Sequence, residues 1–136
     1  MRIAVILALL PLAAFAETPL IAPPPVPMTG AEFDAYATGQ TLTYAQDGAI
    51  WGTEQYKADR KVIWAFTAAE CREGYWYEQD QDICFVYEDP DNPQCWLFFL
   101  GPNGLQAQYS GDSAGVLSEV QQTNEPMACY GPDVGV

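Results

Sequence analysis

GYWYEQDQDICFVYEDPDNPQCWLFF, residues 74–99, is the stretch on which the fold turns. It carries eight aromatic residues, six carboxylates and two cysteines. Aromatic runs between acidic clusters suit either a ligand platform or the core of a β-sheet whose turns are acidic. The stretch divides naturally into two hairpins. With a turn at Asp80-Gln81, Trp76 lies opposite Phe85 and Tyr77 opposite Cys84. With 89–93 as the second turn, Tyr87 opposes Cys95 and Phe85 opposes Leu97. One face then reads Trp76, Phe85, Tyr87, Leu97 and Phe99, the other Tyr75, Tyr77, Val86, Trp96 and Phe98. Both faces are apolar, so the sheet is covered on both sides or bends around a core. A one-residue slip in either turn exchanges the faces, because side chains alternate with a period of two. The acids collect in the turns, which favours a sheet core with acidic tips.

The same register bears on the cysteines. Cys84 and Cys95 sit three rows apart, about 10 Å at roughly 3.3 Å per residue. A disulfide needs Cα atoms within about 7 Å. Cys71 and Cys84 are farther apart still. Ideal hairpins therefore favour Cys71–Cys95 with Cys84–Cys129. If strand 82–88 breaks early, Cys84–Cys95 with Cys71–Cys129 is open instead. There are four cysteines in all and no C-x-x-C spacing, so two structural disulfides are expected rather than a redox motif or a four-thiolate zinc site.

Outward from this stretch the chain has a legible order. Residues 1–16, MRIAVILALLPLAAFA, read as a signal peptide: Arg2, an apolar run over 3–12, and an A-x-A site at 14–16. The run is too short for the roughly 20 residues of a membrane span, and Pro11 interrupts it. Cleavage leaves a soluble, periplasmic or secreted chain of 120 residues out of 136, enough for one domain with a real core. Residues 17–28, ETPLIAPPPVPM, form a proline-rich leader. A helix is expected over 30–38: Thr29 and Glu32 make a capping box, Met28 and Phe33 a hydrophobic staple. Phe33, Tyr36 and Ala37 share one face, and Gly39 ends the helix in a left-handed conformation.

Strands are expected over 41–46, 49–56, 61–67, 72–78, 82–88, 94–100, 105–109 and 116–122. Asp47-Gly48, Ala58-Asp59, residues 79–81, 89–93 and Asn103-Gly104 separate most of them. Short connections impose sequential antiparallel pairing. The expected fold is all-β, an up-and-down meander of six to eight strands, closed or partly closed into a small barrel. The domain covers 29–136, with an irregular tail from about 123 held through Cys129.

Composition excludes much chemistry. There is no histidine, which removes Ser-His-Asp and Cys-His catalysis and His-ligated zinc or haem. The net charge is −13 and becomes −14 without Arg2. Only Lys57, Arg60, Lys61 and Arg72 remain as cations, so nucleic acid and anionic membranes are poor partners. A basic protein or a cation suits the charge of the chain better, and a small ligand is open for an aromatic-lined barrel. No cofactor is implied. Glu88, Asp89, Asp91 and Asn92 offer oxygens for calcium but lack EF-hand spacing, and acidic turn residues usually cap their own backbone, so no metal is expected. Glu54, Glu70, Glu73 and Glu78 read as exposed strand-edge carboxylates, with no pair singled out for acid–base hydrolysis. Lys57, Arg60 and Lys61 surround one turn and read as protective charge at a hairpin tip. Trp51, Trp64, Trp76 and Trp96 are the candidates for lining a ligand site in a barrel mouth, against the alternative that they only fill the core.

The pattern G-x-W-Y…I-C-F-x-Y…C-W-x-F, carried by Gly74, Trp76, Cys84, Cys95 and Trp96, resembles small exported proteins of proteobacteria with a G-x-W…L-C…C-Y/W motif. The resemblance spans about 30 residues. It implies that Cys84 pairs with Cys95, against the ideal register, and it brings no activity and no functional residues with it. The expectation is thus a non-enzymatic binding or structural module of the cell envelope. The alternatives are an acidic inhibitor of a basic exported protein such as a lysozyme, small-ligand binding in an aromatic-lined barrel, and a carboxylate-based hydrolase.

Overall fold

A computed structural model of the chain describes residues 24–111 and 115–129. The expected signal peptide and most of the proline leader lie outside them. The order is α1 (Gly30–Ala37), then β1 (Thr41–Gln46), β2 (Ala49–Tyr56), β3 (Lys61–Ala65), β4 (Cys71–Gln79), β5 (Asp82–Val86), β6 (Gln94–Gly101), β7 (Gly104–Tyr109) and β8 (Val116–Thr123). Each strand pairs antiparallel with the next, and β8 returns to β1, giving a closed eight-stranded barrel. Closure leaves no sheet edge exposed to another chain.

The turns are those the sequence marks. Asp47 and Gly48 both take positive φ, 50° and 80°, in the two-residue β1–β2 connection, the combination that matches strand twist. Asp80, φ 54°, sits in the two-residue β4–β5 connection. The first hairpin has the expected register, Trp76 opposite Phe85 and Tyr77 opposite Cys84.

The second hairpin departs from expectation by three rows. Cys84, not Tyr87, stands opposite Cys95, and Phe85 faces Gln94 rather than Leu97. β5 ends at Val86, so the connection is seven residues, 87–93, and not five. Two contacts accompany this, one across the barrel and one local. The Tyr87 hydroxyl donates to Glu54 Oε1 across the barrel at 2.7 Å, and Asp89 closes a turn by accepting from the Asp91 and Asn92 amides. A three-row slip is odd, so β6 exchanges faces. Trp96 and Phe98 turn inward with Trp76 and Phe85, and Leu97 and Phe99 turn outward. The disulfides are accordingly Cys84–Cys95, with Cα atoms 4.0 Å apart, and Cys71–Cys129. The pairing that ideal hairpins favour is overturned; the early strand break and the resemblance pointed to the observed one. Disulfides of this kind belong to an oxidising, non-cytoplasmic compartment.

Helix α1 plugs one end. Its capping box is formed as the sequence indicates, and Gly39 takes φ +87° just beyond the helix. The Glu78 carboxylate on β4 accepts from the Gly30 amide, adding negative charge where the helix start favours it. Phe33 and Ala37 are fully buried. Residues 124–129 are tied down by more than Cys129, since Thr41 Oγ1 donates to the Glu125 carbonyl and the Met127 amide donates to Gln55. Outward strand positions are mixed, polar at Thr53, Gln55, Glu73, Gln106 and Gln108 and apolar at Tyr75, Leu97 and Phe99, while the buried core is mostly apolar. Among the described residues no helix is long and apolar enough to cross a membrane.

Candidate ligand-binding site

With α1 at one end, the opposite end of the barrel is ringed by the 46–49 turn, the loops after β3 and β5, and residues 110, 111 and 115. Beneath it lies a cavity of about 100 Å³. Its walls are Trp64, Phe66, Phe85, Trp96 and Phe98, its rim includes Trp51, Arg72 and Gln94, and its polar floor is Glu54 with Tyr44, Tyr56 and Tyr87. A wider and shallower space of about 330 Å³ adjoins it, sharing Trp51, Gln94, Trp96 and Leu117 and extending to Gln46, Tyr109 and Gly115.

Each part has a local cause. β2 carries one residue more than β1 between Gly52 and Ile50, so Trp51 has no partner in the register. Such a bulge re-aims a side chain, and here it brings Trp51 to the rim, 6.1 Å from Phe66, which in turn stands 5.4 Å from Trp64. On the facing wall, Trp96 packs on Tyr109 at 5.1 Å. Phe85 and Tyr87 stack nearly parallel, 9° apart.

Two glycines make room for this arrangement. A Cβ on Gly52 would meet the Trp64 ring at 2.3 Å, and one on Gly74 would meet the Val86 carbonyl at 2.4 Å and the Tyr87 ring at 2.7 Å. The glycine of the G-x-W motif is therefore a seat for Tyr87. Gly74→Ala is expected to cost about 1–3 kcal/mol in chemical denaturation, the usual penalty of overpacking. An alanine at an unstrained site would instead stabilise by about 0.4–1 kcal/mol, so the sign of the change checks the close fit.

The floor is a hydrogen-bonded cluster. Tyr87 donates to Glu54 Oε1 at 2.7 Å and Tyr56 to Oε2 at 3.3 Å, while the Tyr44 and Tyr56 hydroxyls lie 2.8 Å apart. Glu54 is only 4% exposed. A buried charge without a cation is costly, and burial pushes the Glu54 carboxyl up to about 8, against the lowering effect of its two tyrosine hydrogen bonds. The same burial raises Tyr44, Tyr56 and Tyr87 far above the ordinary phenol range. At neutral pH the floor is thus largely uncharged, and it presents hydroxyls and a carboxylic acid that both donate and accept. The nearest cation of the site, Arg72, is half exposed and lies 3.8 Å from Glu88, a pair worth little at the surface.

Of the four tryptophans singled out by sequence, Trp51, Trp64 and Trp96 line the cavity. Trp76 lies at the plugged end, edge-on to Phe33 at 5.1 Å, with the Arg60 guanidinium 4.5 Å from its ring centroid. Glu54 was expected on an exposed edge and is instead the innermost acid of the site. Its signal was the two-residue alternation Gly52, Glu54, Tyr56, which points a carboxylate the same way as a core tyrosine. Glu70 and Glu73 are exposed as expected. Tyr87, expected inside strand 82–88 opposite Cys95, instead follows the end of β5 at Val86 and reaches the floor of the site. No family model matches the chain, and no curated protein or solved structure resembles it at a significant level.

Proposed function

We propose that this chain is an exported, non-enzymatic binding module that holds a small molecule in the open end of its barrel, in the periplasm or outside the cell. One observation carries the reading: an aromatic-walled cavity ends on a buried, hydrogen-bonded polar floor. Ligand sites commonly combine apolar walls with a few placed polar groups. The inner space of about 100 Å³ is below the 300–1,000 Å³, roughly, of a drug-sized site, and an apolar cavity of about 150 Å³ is known to take benzene. A ligand therefore inserts one small group among Trp64, Phe85 and Trp96, and rests its remainder in the outer space against Trp51 and Tyr109. The exposed apolar residues Ile50, Trp51, Phe66, Tyr109 and Val116 at this end supply further contact area for that remainder.

Phenol serves as a neutral aromatic probe. In amide and indole NMR spectra of the disulfide-bonded protein, phenol is expected to shift the indole N–H signals of Trp51, Trp64 and Trp96 and to leave Trp76 unmoved. The absence of shifts at millimolar phenol, or shifts scattered over all four indoles, would sink the proposal.

A further inference from the structure

We infer that the group seated in the inner cavity is an organic cation, an amine or quaternary ammonium head, held by the aromatic walls and by Glu54 as its counter-charge. The inference rests on the binding reading above and gives that site its ligand class.

Three observations converge. The walls are aromatic on more than one side: Trp64 with Phe66, Phe85 with Tyr87, and Trp96. Aromatic faces attract cations through the ring quadrupole, and aromatic cages are the usual receptors for quaternary ammonium groups. The floor holds a carboxyl but no basic side chain. The groups facing Glu54 are the hydroxyls of Tyr44 on β1, Tyr56 on β2 and Tyr87 after β5, with Arg72 of β4 at the rim and Glu119 of β8 farther around the wall, hydrogen-bonded to Tyr36 and the Leu105 amide. Finally, the chain carries −13, and a cleft in a protein of one sign concentrates counter-ions of the other. An anionic ligand would enter against this field and find its only cation, Arg72, beside Glu88. A neutral ligand would use the walls but gain nothing from the field.

A cation changes the protonation of the floor. Without it, burial keeps the Glu54 proton in place. A cation within a few ångströms favours the carboxylate, so binding releases that proton to solvent: the carboxylic acid becomes a carboxylate, and the ammonium keeps its charge. Affinity for the cation consequently rises with pH across the range in which free Glu54 is protonated.

Choline and its uncharged isostere 3,3-dimethylbutan-1-ol separate the possibilities in isothermal titration calorimetry of the full disulfide-bonded protein at pH 6, 7 and 8.5. Choline is expected to bind at least tenfold more tightly than the isostere at pH 8.5, to weaken several-fold toward pH 6, and to release a proton at pH 6 and 7, read from the dependence of the heat on buffer ionisation. In Glu54→Gln choline should lose tenfold or more at pH 8.5, and its advantage over the isostere should fall with it. Equal binding of the two, a flat pH profile, or an unchanged choline affinity in Glu54→Gln overturns the cation inference. Binding of the isostere alone overturns it while leaving the site a small-molecule site. Binding of neither at millimolar concentration overturns the inference and counts against the binding reading as well.

Discussion

Phe33→Ala is expected to destabilise the protein by about 3–5 kcal/mol, the range for removing a buried aromatic from a core that cannot collapse around the gap. Phe33 is the centre of the plugged end. It has no exposed surface, and its ring meets Phe98 at 4.5 Å, Trp76 at 5.1 Å, Tyr56 at 5.5 Å and Phe85 at 6.3 Å. Those four rings come from four different strands, so the hole left by alanine is walled by a closed barrel and has little freedom to shrink. The helix gives no independent support. At eight residues it is well below the roughly 12–15 that are marginal alone in water, and losing its cap by Thr29→Ala should cost only about 1 kcal/mol. Urea titration of both variants with disulfides intact checks this. The Phe33 variant should show a much lower midpoint than the Thr29 variant, with a similar slope. A Phe33 variant no less stable than the Thr29 variant would mean that the helix is held by its ends and not by its buried face.

The contrast between the two ends of the barrel explains what the sequence could and could not convey. Local chemistry was legible: the Thr29/Glu32 cap, the Asp47-Gly48 turn and the Trp76–Phe85 register each depend on a few neighbouring residues. The closed meander followed, because short turns leave little choice of partner. The three-row slip between β5 and β6 was not legible from ideal hairpins, since it goes with the turn at Asp89 and with a contact of Tyr87 to Glu54, 33 positions earlier in the chain. The slip exchanges the faces of β6, sets Cys84 beside Cys95 and turns Trp96 toward the cavity. Glu54 itself was hidden by its residue type: a carboxylate on a strand is ordinarily solvent-exposed, and only closure of the barrel shows that its face has no solvent. Gly52 and Gly74 look like weak points in strands, and their purpose appears only when the Trp64 and Tyr87 rings are seen to fill the space beside them.

The stability of the protein is expected to fall relative to Glu54→Gln as pH rises from about 5 to 9. The direction follows from proton binding. The carboxyl ionises at an ordinary acidic pH in the unfolded chain and at about 8 in the folded one, so between those values the native state holds a proton that the unfolded state has lost. Folding stability then decreases with pH. Its stabilising contribution is complete below the unfolded pKa, declines through the neutral range and is gone once pH passes the folded value. The slope is at most about 1.4 kcal/mol per pH unit, which amounts to a few kcal/mol across the window. In Glu54→Gln the amide can accept from Tyr87 as the carboxyl does but cannot ionise, so this component is flat. Other acidic groups titrate in both proteins and cancel in the difference. Tyr44, Tyr56 and Tyr87 are raised further still, so they add nothing below pH 9. Thermal unfolding of the pair at pH 5, 6, 7, 8 and 9 is the measurement. The wild type should match or exceed the variant at pH 5 and drop below it by several degrees at pH 9. Parallel curves would show that Glu54 is already ionised in the folded barrel, and that water or a cation reaches the floor of the site.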